Sequence, residues 1–334
     1  DTFNEEYLYE CRETLQNVLS DSVYNVRVCF GIYRTDNMNE SLSFMCDKAS
    51  FAVASIKDDT HSFIAYYDDT MLEAAIKYKT IVDEFDDAIK AGEFKMYLQP
   101  QISAKTRRLT GAEALVRRIK PDGTIISPID FIPVYEKSGL ISRLDRYIWE
   151  QAAAKLGEWK KAGINMSISV NISPKDFYYI DIFNTFAGLI KKYDIEPSNL
   201  KIEITETTIM SDVPNLMGEL EELRKAGFTL EMDDFGSGYS SLNTLKDINV
   251  DVLKVDMGFI KETKNVKKSR IILASVIKMA KELNLLIITE GVETEEQVDN
   301  LTKLGCDVFQ GYYFSKAIDV NEFEKRYLYR KKAG

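Results

Sequence analysis

From about Phe94 to the C-terminus, short β-like runs alternate with amphipathic helical stretches, and nothing else in the chain narrows its fold as much. The runs are Met96–Ile102, Ala112–Arg118, Ser167–Ile172, Leu200–Thr205, Thr229–Asp233, Val252–Asp256, Leu286–Thr289 and Val308–Tyr312. Helical patterns lie between most of them, at Leu144–Lys161, Leu216–Lys225, Ile271–Leu283 and Glu295–Leu304. Strands joined through helices cannot form hairpins and pair in parallel through crossovers. Eight such strands in roughly 240 residues predict an α/β fold closed into a (β/α)8 TIM-like barrel rather than an open sheet. The first strand is free to run antiparallel.

Residues 1–80 read differently. A helix at Glu5–Leu19, a strand at Val26–Gly31, a helix at Ser41–Ile56 and a strand at Ser62–Tyr67 make a small partial α/β segment. A helix over Thr80–Ala91 is expected to join it to the barrel, which divides the chain into 1–80 and 81–334.

Charge and cysteine content exclude several functions. Lys and Arg number 43 against 53 Asp and Glu, a formal charge of −10. A binder of DNA or RNA polymers would present a basic face instead. The 4 cysteines, Cys11, Cys29, Cys46 and Cys306, show no CxxC spacing and read as reduced thiols. The single histidine, His61, sets aside a zinc site and histidine catalysis. No apolar run approaches the roughly 20 residues of a membrane helix. The chain opens on Asp1 without methionine and reads as a piece of a longer one. The expected location is the cytoplasm, or the cytoplasmic side of a membrane protein whose sensor or membrane segment lies upstream.

The candidate chemistry sits at strand ends. Alternate strand residues face one way, and barrel sites form at the C-terminal ends of strands. Period two puts Glu113, Leu115 and Arg117 on one face, Lys201 with Glu203, Glu231 with Asp233, and Lys254 with Asp256. Asn171, Glu290 and Gln310 also stand at strand ends. Any one of these has a plainer role, since a lone strand-end Asp or Asn caps the next helix more often than it binds a ligand. Convergence overrides that. Glu113, Asn171, Glu203, Asp233, Asp234 and Glu290 would share one mouth, and so many carboxylates repel unless a cation joins them. Oxygen-only ligation points to Mg²⁺ or Mn²⁺, and to metal-assisted attack on a phosphodiester.

The same residues carry a family resemblance. Glu113-Ala114-Leu115 lies in a context similar to the EAL domain, the cyclic di-GMP phosphodiesterase module of bacterial signalling. The resemblance runs from about residue 82 onward through Gln99-Pro100, Phe131-Ile132-Pro133, Val170-Asn171-Ile172-Ser173 and Glu203-Ile204-Thr205-Glu206. It continues in Asp233-Asp234-Phe235-Gly236, Lys254-Val255-Asp256, Glu290-Gly291-Val292-Glu293 and Gln310-Gly311-Tyr312. It implies that Glu113, Asn171, Glu203, Asp233 and Asp234 ligate metal, two ions per site. Glu290 then acts as general base or second-metal ligand, and Lys254 orients the attacking water. Glu206 steadies the loop after Asp234, a loop that also implies a homodimer. Gln99, Arg117, Leu140, Asp256 and Gln310 take substrate positions. Arg118 departs from the family's usual Trp, with loss of an aromatic contact to substrate expected. Thr289, Ser237 and Ala317 are further departures.

Residues 1–80 resemble the second half of a GGDEF domain, degenerate or truncated, with its signature hairpin absent. The implied activity is hydrolysis of cyclic di-GMP to linear 5′-phosphoguanylyl-guanosine by a two-metal mechanism. Ca²⁺, which accepts longer and looser coordination, is expected to inhibit. The alternatives are a catalytically silent cyclic di-GMP sensor and a partner-binding scaffold.

Overall fold

The computed structural model describes residues 4–19, 26–35, 39–57, 59, 61–210, 213, 215–235, 245, 248–256 and 266–329. The chain divides into two compact units, Asp1–Phe85 and Asp86–Gly334.

In the first unit, helix Glu6–Leu19 precedes strand β1 (Phe30–Ile32), helix Leu42–Ser55, strand β2 (Ile64–Tyr66) and helix Asp69–Asp83. Ser41 caps the second helix by accepting from Phe44 N at 3.3 Å, and Asp68 caps the third by accepting from Thr70 N at 2.7 Å. Both caps satisfy N–H groups that the first turn leaves without partners. β1 and β2 pair in parallel, Phe30 with Ile64 and Ile32 with Tyr66. Ala52, Ile56 and Ala65 form a small core with Cys29, Tyr67 and Met71 against it. Gly31 lets β1 run hard against the helix, since a Cβ there would stand 2.0 Å from Ala49 O. The helix expected over Thr80–Ala91 is two helices, Asp69–Asp83 and Phe85–Lys90, with Glu84 as the C-cap between them.

The second unit is the barrel. Its closed ring runs β3 (Phe94–Ser103), β4 (Leu109–Ile119), β6 (Ile168–Ile172), β7 (Leu200–Thr205), β8 (Leu230–Asp233), β9 (Val252–Asp256), β10 (Leu286–Glu290), β11 (Val308–Phe309) and back to β3. Short strands β5 (Ile125–Ile126) and β12 (Ile318–Asp319) add to β4 and β3. β3 is antiparallel to both its ring neighbours, and the remaining ring pairs are parallel. The antiparallel first strand follows from connection length, because β3 and β4 are joined by a short turn rather than a helix.

Helix Ile141–Lys161 covers one side with Leu144, Ile148, Ala152 and Trp159 buried at helical spacing. Helix Glu295–Leu304 starts in a Thr294/Gln297 capping box and ends at Gly305. At the N-terminal ends of the strands, carboxylates satisfy backbone donors. Asp251 Oδ2 accepts from Leu230 N and Asp307 Oδ2 from Ile287 N, both at 2.9 Å. The opposite, C-terminal ends are left for the site. No helix among the described residues is long and apolar enough to cross a membrane.

Candidate active site

Lys254 is the pivot of the barrel mouth. It lies mid-strand on β9 and is fully buried, 0% exposed. Its Nζ stands 2.7 Å from Glu290 Oε1, 2.8 Å from Glu203 Oε2, 3.4 Å from Asp233 Oδ1 and 3.5 Å from Glu113 Oε2. Burial works against the ammonium charge, but Glu113, Glu203, Glu290 and Asp233 more than offset this and hold Lys254 protonated well above its usual range.

The carboxyls answer in the opposite sense. Burial pushes Glu290 up to about 8; Lys254 opposes this, and Asp233 and Glu113 reinforce it. Glu203 is raised well above the usual carboxylate range by burial and then by Glu113, with Lys254 again opposing. Asp234 is also raised, by burial and then by Asp233. It sits in the left-handed region at φ 56, and its N–H donates to Asp233 Oδ1 at 2.9 Å. Asn and Asp tolerate that region better than other non-Gly residues.

A chain of amides fixes Glu113. Gln101 Nε2 donates to Gln310 Oε1 at 3.3 Å, and Gln310 Nε2 donates to Gln99 Oε1 at 3.3 Å and to Glu113 Oε2. Asn171 Nδ2 approaches Glu113 Oε1 at 3.4 Å, and Asn171 O accepts from Trp149 Nε1 at 2.9 Å. Gln310 is aimed by a tight crossing of chain: Val292 N donates to Gln310 O at 3.2 Å. A Cβ at Gly311 would lie 2.2 Å from Val292 O, so β11 stops at Phe309 and not at Tyr312 as the pattern suggests.

The mouth opens into a cavity of about 410 Å³ lined by Gln99, Glu113, Leu115, Asp256, Glu290 and Gln310 among others. A second, of about 120 Å³, is lined by Leu115, Arg117, Asp145, Trp149 and Asn171 among others. Both volumes together suit a ligand larger than a single ring. Arg117 Nη1 donates to Val116 O at 2.7 Å.

Most residues expected from sequence therefore meet. Glu113, Glu203, Asp233, Glu290 and Lys254 form one cluster, with Asn171, Gln99, Gln310 and Asp256 at its rim. Leu140 is the N-cap of helix Ile141–Lys161 and lines neither cavity, and Glu206 is buried at the start of helix Glu206–Met210. The loop Phe235–Leu242, where dimer contacts were expected, lies outside the described residues beyond Phe235. Arg118 lies on the outer face of β4. It points away from the mouth, 3% exposed, with Nε 2.9 Å from Glu93 Oε2 and its guanidinium over Phe94.

Sequence reasoning missed Glu231, buried below the cluster, and the pair of half-buried Asp145 and buried Asp176 beside it. Glu231 shares a face with Asp233, which was the available signal. Nothing local marks the pair, because its partners come from different helices.

Among the described residues, no three His, Cys, Asp or Glu side chains form a ready-made ion site. The point on which four carboxylates converge is taken by the Lys254 ammonium. The donor set still fits a hard divalent cation. Every donor is oxygen, and Glu203 Oε1 is buried with no hydrogen-bond partner. Burial raises the Glu203, Asp234 and Glu290 carboxyls and neighbouring carboxylates add to the rise, an environment in which a divalent cation would favour the ionised forms.

The family model described as EAL domain matches residues 82–317. Signaling protein YkoW of Bacillus subtilis is 34% identical over 278 residues, covering 83% of this chain and 35% of YkoW. The bifunctional diguanylate cyclase/cyclic di-GMP phosphodiesterase MucR of Pseudomonas aeruginosa is 30% identical over 275 residues, covering 82% of this chain and 40% of MucR. The solved PaMucR phosphodiesterase in complex with c-di-GMP superposes with a TM-score of 0.69 at 32% identity, over 73% of this chain and 99% of that one. The chain thus spans well under half the length of these two curated relatives. The family match takes in every strand of the closed ring, and the chain belongs to the EAL domain family.

Proposed function

We propose that this chain hydrolyses cyclic di-GMP to linear 5′-phosphoguanylyl-guanosine. The observation that carries the reading is the convergence of Glu113, Glu203, Asp233 and Glu290 on buried Lys254 at the mouth of an EAL barrel. A relative of the same fold, MucR, is named for this activity and has been solved with c-di-GMP.

In this reading Glu113, Asn171, Glu203, Asp233 and Asp234 hold one or two Mg²⁺ or Mn²⁺ ions, which when bound supply Lewis acidity to the phosphate and acidify water. Lys254 donates a hydrogen bond to the attacking water and keeps it in line with the scissile bond. Glu290 takes the proton. Burial holds its carboxyl up at about 8 without an ion, so it would serve as base only as the carboxylate, a form that a bound divalent cation would favour. Arg117 offsets phosphate charge, and the Gln101–Gln310–Gln99 amides keep Glu113 from rotating away. Asp256 and Gln310 meet the nucleotide along the larger cavity.

The test is direct. The protein is incubated with cyclic di-GMP and Mn²⁺ or Mg²⁺, with and without chelator, and the nucleotides are separated by chromatography. Chelator-sensitive linear dinucleotide supports the reading. Tight binding of intact cyclic di-GMP without turnover would make the chain a silent sensor.

Two further elements belong to the proposal. Residues 1–80 are read as a partial GGDEF-like segment, supported by the helix–strand–helix–strand order and the parallel pairing of β1 with β2. Homodimer assembly through the segment after Asp234 is checked by sedimentation at several concentrations, with activity measured alongside.

A further inference from the structure

Three neighbouring strands carry candidate ligands, and each has a polar residue two positions earlier on the same inward face. Ser169 precedes Asn171 on β6, Lys201 precedes Glu203 on β7, and Glu231 precedes Asp233 on β8. The three earlier residues bond to one another. Ser169 Oγ donates to Glu231 Oε2 at 2.8 Å, and Lys201 Nζ donates to Glu231 Oε1 at 2.9 Å. Each oxygen of Glu231 therefore has its own donor, and the bonds reach from β6 to β8 across β7. Glu231 is 0% and Ser169 1% exposed.

Stability does not explain this arrangement. A buried ion pair roughly breaks even against apolar residues of the same volume, and barrel interiors are usually filled by branched apolar layers. Location does explain it. Glu203 is the Cα partner of Asn171 on one side and of Glu231 on the other. The bonded layer lies beneath the ligand candidates strand by strand and touches neither cavity lining. Groups that hold an ion need support from a second set of bonds that fixes their spacing.

We propose that Ser169, Glu231 and Lys201 form a positioning layer that sets the spacing of Asn171, Glu203 and Asp233. It governs divalent-ion affinity and the turnover step and leaves nucleotide binding nearly unchanged. The turnover arm rests on the phosphodiesterase reading; the ion-binding arm does not.

The experiment uses the full chain and three variants, Glu231→Gln, Lys201→Met and the apolar pair Lys201→Met/Glu231→Leu. The pair keeps the test decisive if a single variant leaves a buried charge without its partner and fails to fold. Mn²⁺ affinity is read from the electron paramagnetic resonance of free Mn²⁺. The values of kcat and KM for cyclic di-GMP are read at saturating Mn²⁺. The expected result is a loss of about tenfold or more in both Mn²⁺ affinity and kcat, with KM within about twofold of the parent. Lys201→Arg, which keeps the cation, is expected to recover most of both. A folded apolar pair that binds Mn²⁺ and turns over like the parent would overturn the proposal, because the layer would then only fill space. So would a parent that binds no Mn²⁺. If the parent binds Mn²⁺ but does not hydrolyse cyclic di-GMP, the phosphodiesterase reading fails and Mn²⁺ affinity alone decides the layer.

Discussion

Lys254 Nζ and Glu290 Oε1 lie 2.7 Å apart on adjacent parallel strands, in a barrel interior where Lys254 has no exposed surface. The same ammonium meets three further carboxylates within 4.0 Å, so a single positive charge serves four acids. On the proposed reading, bound divalent cations would share this electrostatic work with Lys254. Lys254→Met is expected to lose hydrolysis and to destabilise the metal-free protein by about 3–5 kcal/mol at pH 8, the range for breaking a buried pair. Mn²⁺ should restore a large part of that stability, and pH 5 should as well, since the carboxyls can then protonate. Thermal unfolding in chelator and in Mn²⁺ checks this. An equal loss under both conditions would mean that Lys254 acts through packing alone.

Glu113 lies between the amides of Gln310 and Asn171. Glu113→Gln keeps an oxygen acceptor for one of them and nearly the same volume, so the fold should survive. Hydrolysis should fall by at least about a hundredfold, beyond the usual loss for an outer-sphere partner. Circular dichroism and a turnover assay on the same sample separate the two effects. Parental turnover would remove Glu113 from the ion site.

The period-two pattern made the mouth legible in the sequence. It put Glu113, Glu203, Asp233 and Lys254 on inward faces, and the limits of β7 and β9 agree with it residue for residue. It could not show which inward side chain meets which, because cross-strand register depends on barrel stagger, and no local pattern records that. The Ser169–Glu231–Lys201 bonds were invisible for this reason. The outward aim of Arg118 was available from the same alternation, since Arg117 faces in. The helix break at Glu84 is a boundary detail, where local propensity discriminates poorly.

Ca²⁺ separates holding an ion from using it. The oxygen donors here suit either ion, but Ca²⁺ takes six to eight oxygens at longer and more variable distances than Mg²⁺. Cyclic di-GMP should still bind in Ca²⁺, with turnover reduced by about tenfold or more relative to Mg²⁺ and Mn²⁺. Calorimetry for binding and chromatography for product, after stripping contaminating metal, make the comparison. Equal turnover in Ca²⁺ and Mg²⁺ would count against a site that depends on ion geometry.

Asp176 is fully buried, and its Oδ2 accepts from Ser173 N at 2.8 Å. Burial raises it from 3.8 to about 6, against the pull of the nearby Ser142 hydroxyl and of the hydrogen bond from Ser173 N. Asp145 beside it is raised well above the usual range, by burial and then by Asp176. The sign follows from linkage. An acid raised in the folded state contributes its stability below the unfolded pKa, near 3.8, and loses it as pH climbs through about 6. At pH 8 the folded protein therefore carries a cost of up to about 3 kcal/mol from this group. Asp176→Asn keeps an acceptor for Ser173 N and removes the charge. It should stabilise the protein by about 1–3 kcal/mol at pH 8 and change it little at pH 4. Urea unfolding at the two pH values gives the answer. A variant that is less stable at pH 8 would show that the ionised Asp176 carboxylate is held by favourable contacts, and that burial does not decide its charge.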